Sequence, residues 1–455
     1  MSVPMIAAEA LRNGRASPER LARIQSKRLA ELVRHSRTTS PFYRRAYRGL
    51  PEEVTDPRLL PPVDKPTLMA NFDEWVTDPA ITLEQLRRDF LSDLSLVGHK
   101  YLGRYHVMTT SGSTGEPAVL VHDQLSWRVL HVLARTRPHL LGGKANPKDL
   151  LRRGVRVAAL YATGGHFGGV VLLESARAAN PVIARRSRAF SVQRPISDLV
   201  GELNEFQPTM LGGYPSAMVL LAGEQLAGRL RIDPLQILCA GELLTDSMRD
   251  EIQSAFHCPI GEGYAATEVP GLSLQCTRGR LHVNIDWYVL EPTDSEHRPV
   301  PVGQTSSTVL VTNLSNRVQP VIRYDLGDRV TMSPEPCPCG SPLPTVAVEG
   351  RTNDVLTFES PAREPVVVLP LALGAVIEET PGVHRFQAIG TGPTALTVRL
   401  EPEPGASPDL VWRDLEDHVQ EYLAAQGIAP VAITRAADPP RADPRSGKLR
   451  QVIRA

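Results

Sequence analysis

Apolar positions change period several times along this chain, and each change marks a different kind of element. Between residues 17 and 39, Leu21, Ile24, Leu29, Leu32 and Val33 recur on one helical face. Ser17 is a suitable N-cap, Pro18 suits the first helical position, and Ser40-Pro41-Phe42-Tyr43 ends the helix. Short apolar runs at 155–161, 209–211 and 236–239 read as buried strands, with helical patterns at 215–226 and 247–256 between them. Strands alternating with helices predict an α/β sheet. From about Leu281 the period becomes two. Residues 281–289 alternate like one half-exposed strand and 307–312 like another, which predicts a β-rich subdomain. After about Asn353 a small α+β unit follows: a strand at 394–400, a helix at 410–425 with Val411, Leu415, Val419, Tyr422 and Leu423 inward, and a strand at 431–434. The Pro- and Arg-rich tail from Ala437 reads as loop. The expected architecture is therefore α/β. A large N-terminal domain of α/β subdomains with a β-rich subdomain (1–352) precedes a small mobile α+β domain (353–455).

Composition narrows the function without naming it. A chain of 455 residues, 42% apolar and 22% charged, is ordinary for a globular protein of two or three domains. Fifty basic residues balance fifty acidic ones, so no electrostatic grip on nucleic acid or an anionic membrane is expected. The most apolar stretch, 155–173, is interrupted by Thr163, His166 and several glycines, too broken for a bilayer span. The N-terminus lacks a basic start followed by an apolar run. Five cysteines, two of them in Cys337-Pro338-Cys339, argue against a secreted disulfide framework. The expectation is a cytoplasmic protein with small-molecule partners, no nucleic acid and no membrane, and a homodimer is compatible with it.

Five short segments carry candidate chemistry. In Thr109-Thr110-Ser111-Gly112-Ser113-Thr114-Gly115-Glu116-Pro117, glycines and hydroxyl residues let backbone N–H groups converge on phosphate oxygens. No Gly-Lys-Ser/Thr follows, so this is not a Walker A loop. Tyr264-Ala265-Ala266-Thr267-Glu268 supplies a ring that can stack on a purine and a carboxylate that can hold Mg²⁺. Arg323-Tyr324-Asp325-Leu326-Gly327-Asp328 ends in a carboxylate able to accept from ribose hydroxyls. Gly350-Arg351-Thr352-Asn353-Asp354 sets a guanidinium beside a hinge, and Arg445-Ser446-Gly447-Lys448-Leu449-Arg450 puts a lysine on a C-terminal loop.

In this order the segments resemble the adenylate-forming superfamily of acyl-CoA synthetases, peptide-synthetase adenylation domains and luciferases. The short chain, Arg28-Leu29 with Leu32, Ser40-Pro41-Phe42-Tyr43 and Leu60-Pro61-Pro62-Val63-Asp64-Lys65 resemble its phenylacetate-CoA ligase and CapK-like branch. The resemblance implies the cofactors ATP and Mg²⁺ and assigns roles residue by residue. Ser111, Gly112, Ser113, Thr114 and Gly115 would cradle the β/γ-phosphates. Gly241, Glu242, Tyr264 and Ala265 would line the adenine site, Thr267 would touch the α-phosphate, and Glu268 would bind Mg²⁺. Asp328, assisted by Arg351, would hold the ribose. Lys448 would bridge the attacking carboxylate and the α-phosphate. The acid pocket is expected from Tyr161, Gly165, His166, Phe167 and Tyr214, where glycines admit a flat ring and aromatics supply an apolar wall. Plain core packing is the competing reading for Tyr161 and Phe167.

The implied reaction is activation of a small, aromatic carboxylic acid as its acyl-adenylate, with release of pyrophosphate, then transfer to coenzyme A. Three departures from the family pattern bear on it: Glu116 where many relatives have lysine, Asn353 followed by Asp354 at the hinge, and no Arg-Gly turn in residues 355–364. The last motivates an alternative in which an amine, a carrier-protein thiol or nitrite is the acceptor. Separately, Cys337 and Cys339 resemble a zinc knuckle, with Cys276 and His282 upstream. A structural Zn²⁺ site, with Cys258 as a substitute ligand, stands against a set of free thiols.

Overall fold

The computed structural model describes residues 1–110, 117–141, 147–348, 356–368, 370–441 and 451–454. The chain forms two compact units, each assembled from discontinuous pieces. The first joins Met1–Met108, Val119–Ala145 and Gly261–Arg351; the second joins Thr109–Ala118, Asn146–Ile260 and Thr352–Ala455.

In the first unit the expected N-terminal helix spans Pro18–Thr39, and the Ser17 hydroxyl accepts from the Arg20 N–H at 3.4 Å. Leu21, Leu29, Leu32 and Val33 are buried, while Ile24 lies half-buried at the edge of the same face. Ser40 ends this helix and caps the next, Pro41–Ala46. There Tyr43 is buried and its hydroxyl donates to the Pro320 carbonyl at 2.9 Å. A helix at Val3–Asn13 precedes them and packs on the helix Gln124–Leu141.

The segment 281–289 is not one strand. Leu281–Val283 pairs antiparallel with Val269–Gln275 and with Thr345–Val348, whereas Tyr288–Thr293 pairs with Thr308–Asn313 in another sheet. The chain folds over at Asn284, whose carbonyl accepts from the N–H groups of Trp287 and Tyr288 at 2.9 and 3.0 Å. The fold-over turns Asp286 inward, where Arg137 at 2.6 Å and Asn13 at 3.1 Å hold it. A buried carboxylate needs such partners, and a continuous strand would not deliver it to them.

The second unit contains a parallel sheet, in the order Ser187–Ser191, Val157–Tyr161, Met210–Gly213, Gln236–Ala240. The helices Gly168–Ala179, Ile196–Phe206 and Pro215–Leu226 make the crossovers, as the alternating pattern predicts. Toward the C-terminus, Leu356–Glu359 and Pro365–Val368 form a hairpin. A four-stranded sheet carries the helix Pro408–Ala425, with all five expected inward residues buried. The tail is not wholly loop, because Val452–Arg454 adds in parallel to Val383–Gly392 and buries Val452. Among the described residues no helix is long and apolar enough to cross a membrane.

Candidate functional site

In the first unit the strands Ile260–Ala266 and Val269–Gln275 form an antiparallel hairpin, with Ala266 opposite Val269. Thr267 and Glu268 are therefore the two residues of its turn. Tyr264, at an irregularity in the same hairpin, donates its hydroxyl to Asp328 Oδ2 at 3.0 Å. Ala265 is exposed and Thr267 half-buried, but Glu268 is only 5% exposed. Glu268 offers at this turn a carboxylate, the hard oxygen donor that suits Mg²⁺. The two aspartates of the 323–328 segment are used differently. Asp325 Oδ1 accepts from the Gly327 N–H at 2.9 Å and from the Thr308 hydroxyl, while Oδ2 faces His297 at 3.1 Å, so it holds its own turn. Asp328 is the one that meets Tyr264.

In the second unit Tyr161 and Tyr214 meet edge to face, with centroids 5.1 Å apart at 85°. Burial raises both phenols, Tyr161 to about 12. A Cβ on Gly169 would stand 2.8 Å from the Tyr161 ring, so only glycine lets the helix start that close. Gly241 has φ +89° and lies against Tyr214, whose ring a Cβ there would approach to 2.9 Å. Glu242 Oε2 accepts from the Ser216 N–H at 3.1 Å and hydroxyl at 2.5 Å, and burial raises its carboxyl. Ser216, at the start of its helix after Pro215, carries no motif and was not apparent from the sequence. Phe167 packs beside Gly165, and His166 is buried with its carbonyl accepting from the Thr109 N–H at 2.7 Å. That bond ties the turn at 164–167 to Thr109, and the Thr110 N–H donates to the Ala118 carbonyl at 3.0 Å. Ser111, Gly112, Ser113, Thr114, Gly115, Arg351 and Lys448 lie outside the described residues.

The cysteine expectation gains a geometry. Ligand atoms of Cys276, His282, Cys337 and Cys339 all lie within 4.8 Å of one another. Cys276 and Cys337 sulfurs are 3.7 Å apart, and Cys339 Sγ is 3.3 Å from His282 Nε2. Tetrahedral zinc with Zn–S of about 2.3 Å sets sulfurs about 3.8 Å apart. The other imidazole nitrogen, Nδ1, donates to the Leu343 carbonyl at 2.8 Å, which leaves Nε2 bare toward the cysteines. Without a cation, burial pushes the Cys339 thiol up to about 11. Cys258 is not in this group. It belongs to the core of the second unit, where burial pushes its thiol up to about 12.

The fold and the order of these segments fit an adenylate-forming enzyme. Residues 103–311 match the family model described as AMP-binding enzyme. The chain is similar to a phenylacetate-coenzyme A ligase of Thermus thermophilus, at 26% identity covering 96% of each protein. It is also similar to the protein CapK of Staphylococcus aureus, at 28% identity over 39% of this chain and 38% of that one. Among solved structures, a 2-hydroxyisobutyryl-CoA ligase with 2-HIB-AMP and CoA in its thioesterification state superposes with a TM-score of 0.62. That match has 19% identity and covers 97% of this chain and 91% of the other. The branch that the N-terminal segments resembled is thus the one in which the curated relatives lie.

Proposed function

We propose that this adenylate-forming enzyme activates a small, aromatic carboxylic acid with ATP and transfers the acyl group to coenzyme A. The observation that carries the reading is the hairpin bearing Tyr264, Thr267 and Glu268, joined by the Tyr264 hydroxyl to Asp328, in a chain similar over 96% of its length to a phenylacetate-coenzyme A ligase. In this reading Thr267 contacts the α-phosphate and Asp328 the ribose, with Arg351 assisting. Gly241, Glu242, Tyr264 and Ala265 line the adenine site, and Ser111, Gly112, Ser113, Thr114 and Gly115 hold the outer phosphates. Glu268 holds Mg²⁺, which supplies charge neutralisation at the phosphates. Tyr161, Gly165, His166, Phe167 and Tyr214 receive the acid, and the paired tyrosine rings support a planar substrate. Residues from about Asn353 onward act as the mobile unit that delivers Lys448. Cys276, His282, Cys337 and Cys339 hold a structural Zn²⁺, and cysteines that form no disulfide among the described residues fit the cytoplasm.

The test is Lys448→Ala. A fixed cation at the developing charge contributes about 3 kcal/mol, so adenylation should fall at least ~100-fold. An unchanged rate would remove Lys448 from the chemistry. One observation favours a different acceptor: the turn after the hinge is Ser360-Pro361-Ala362-Arg363-Glu364, with Arg363 rather than glycine at φ +62°. Incubation of the acid and ATP with coenzyme A, an amine, a carrier-protein thiol or nitrite separates these readings. AMP release indifferent to coenzyme A would shift the assignment to the alternative nucleophile.

A further inference from the structure

Two-residue hairpin turns favour residues at positive φ, because those turn types match the twist of the flanking strands. Thr267 and Glu268 occupy such a turn, and neither has a positive φ. The turn is instead held from outside by two fully buried side chains. His122 ends the strand Val119–His122 and sets Nε2 3.0 Å from the Thr267 carbonyl. Asn313 ends the strand Thr308–Asn313 and donates its amide to the Glu268 carbonyl at 3.0 Å.

Each clamp is itself oriented. A carbonyl only accepts, so His122 carries its proton on Nε2, and the bare Nδ1 accepts from the Ser126 hydroxyl at 3.2 Å. Burial pushes His122 down to about 4, which keeps this neutral tautomer at neutral pH. Ser126 is fixed by its N–H to Asp123 Oδ1 at 2.9 Å, and Asp123 Oδ2 accepts from the Arg317 N–H at 2.8 Å. On the other side, Asn313 Oδ1 accepts from the Ser315 N–H at 3.1 Å and hydroxyl at 2.7 Å, which settles which end of the amide donates. Successive carbonyls of one turn are thus gripped by donors from two strands distant in sequence.

We propose that His122 and Asn313 are positioning residues for adenylation: by fixing the carbonyls of Thr267 and Glu268 they aim the hydroxyl and carboxylate of that turn at the nucleotide. The proposal rests on the roles given above to Thr267 and Glu268. A plain core role is the competing explanation, and the two differ in what a donor-preserving substitution does.

The experiment compares His122→Leu, His122→Gln, His122→Asn and Asn313→Leu with Thr267→Ala and Glu268→Gln in the full chain. It reads acid-dependent pyrophosphate exchange, KM for the acid, ATP affinity by calorimetry and melting temperature. Glutamine can place an N–H where Nε2 stands, whereas asparagine stops short. His122→Leu and Asn313→Leu should each lower kcat of exchange about tenfold, with KM for the acid within about twofold. His122→Gln should recover most of that loss, and His122→Asn should not. If His122→Leu does not fold, the contrast between His122→Gln and His122→Asn decides alone. Equal rates for those two variants, or a His122→Leu rate within about twofold of the parent, would overturn the clamp. Unchanged exchange in Thr267→Ala and Glu268→Gln would instead overturn the reading of the turn itself, a distinct failure.

Discussion

The Cys/His corner and the 267–268 turn lie in the same unit, and each is built around a histidine with no exposed surface. Both imidazoles donate one N–H to a backbone carbonyl, His282 to Leu343 and His122 to Thr267. What differs is the nitrogen that does so. His282 uses Nδ1 and leaves Nε2 bare toward Cys339, whereas His122 uses Nε2 and leaves Nδ1 to a serine. In the proposed reading, the backbone at the corner fixes the ring for a metal, whereas at the turn the ring fixes the backbone so that neighbouring side chains meet the nucleotide. The residue type alone does not assign the role; the partner of the second nitrogen does.

The comparison breaks most visibly at the corner. Purified protein should contain about one zinc per chain, and Cys337→Ser should lose it together with several kcal/mol of stability, because metal affinity here is folding energy. Metal analysis with thermal unfolding checks this. Less than a tenth of an equivalent, with unfolding indifferent to chelators, would make the corner a set of thiols. A sharper contrast is the same substitution in both places. His282→Gln should abolish metal retention, since an amide is a poor zinc ligand, whereas His122→Gln should keep most adenylation; both are read on matched preparations. Gln tolerated at 282 and damaging at 122 would reverse the assignment.

The smallest effect concerns a third histidine, which does neither job. His106 stacks on Trp127, with centroids 3.8 Å apart at 7°, and burial pushes it down to about 3 from an ordinary 6.5. Below pH 6.5 the unfolded chain takes up a proton here that the folded chain refuses. Stability therefore falls with pH from 6.5 toward about 3, by at most about 2 kcal/mol at pH 5 from this group. His106→Phe should flatten the melting temperature between pH 7 and pH 5. An unaltered slope would show that His106 charges freely in the folded state.

Periodic segments were legible in the chain. The helices at 215–226 and 408–425 and three of the four parallel strands emerged from apolar spacing within a residue or two, whereas Ser187–Ser191 did not. The break at 284–287 did not, because alternation looks the same on both sides of a fold-over, and its cause is a buried ion pair with Arg137, 149 residues away. The strand at Val452–Arg454 is too short to show any period. His282 could be named because cysteines flagged its surroundings, while His122 stands in a strand with no chemical neighbours in sequence and meets Thr267 only in the fold. Ser216 was missed for the same reason. Residues 111–115, Arg351 and Lys448 are singled out by their motifs alone.

Acid-dependent exchange of labelled pyrophosphate into ATP tests the central claim most directly, because it isolates acyl-adenylate formation from any choice of acceptor. Across a panel of small aliphatic and aromatic acids, exchange should appear with an aromatic acid and collapse in Asp328→Ala. Exchange with none of them, or undiminished exchange in Asp328→Ala, would contradict the account.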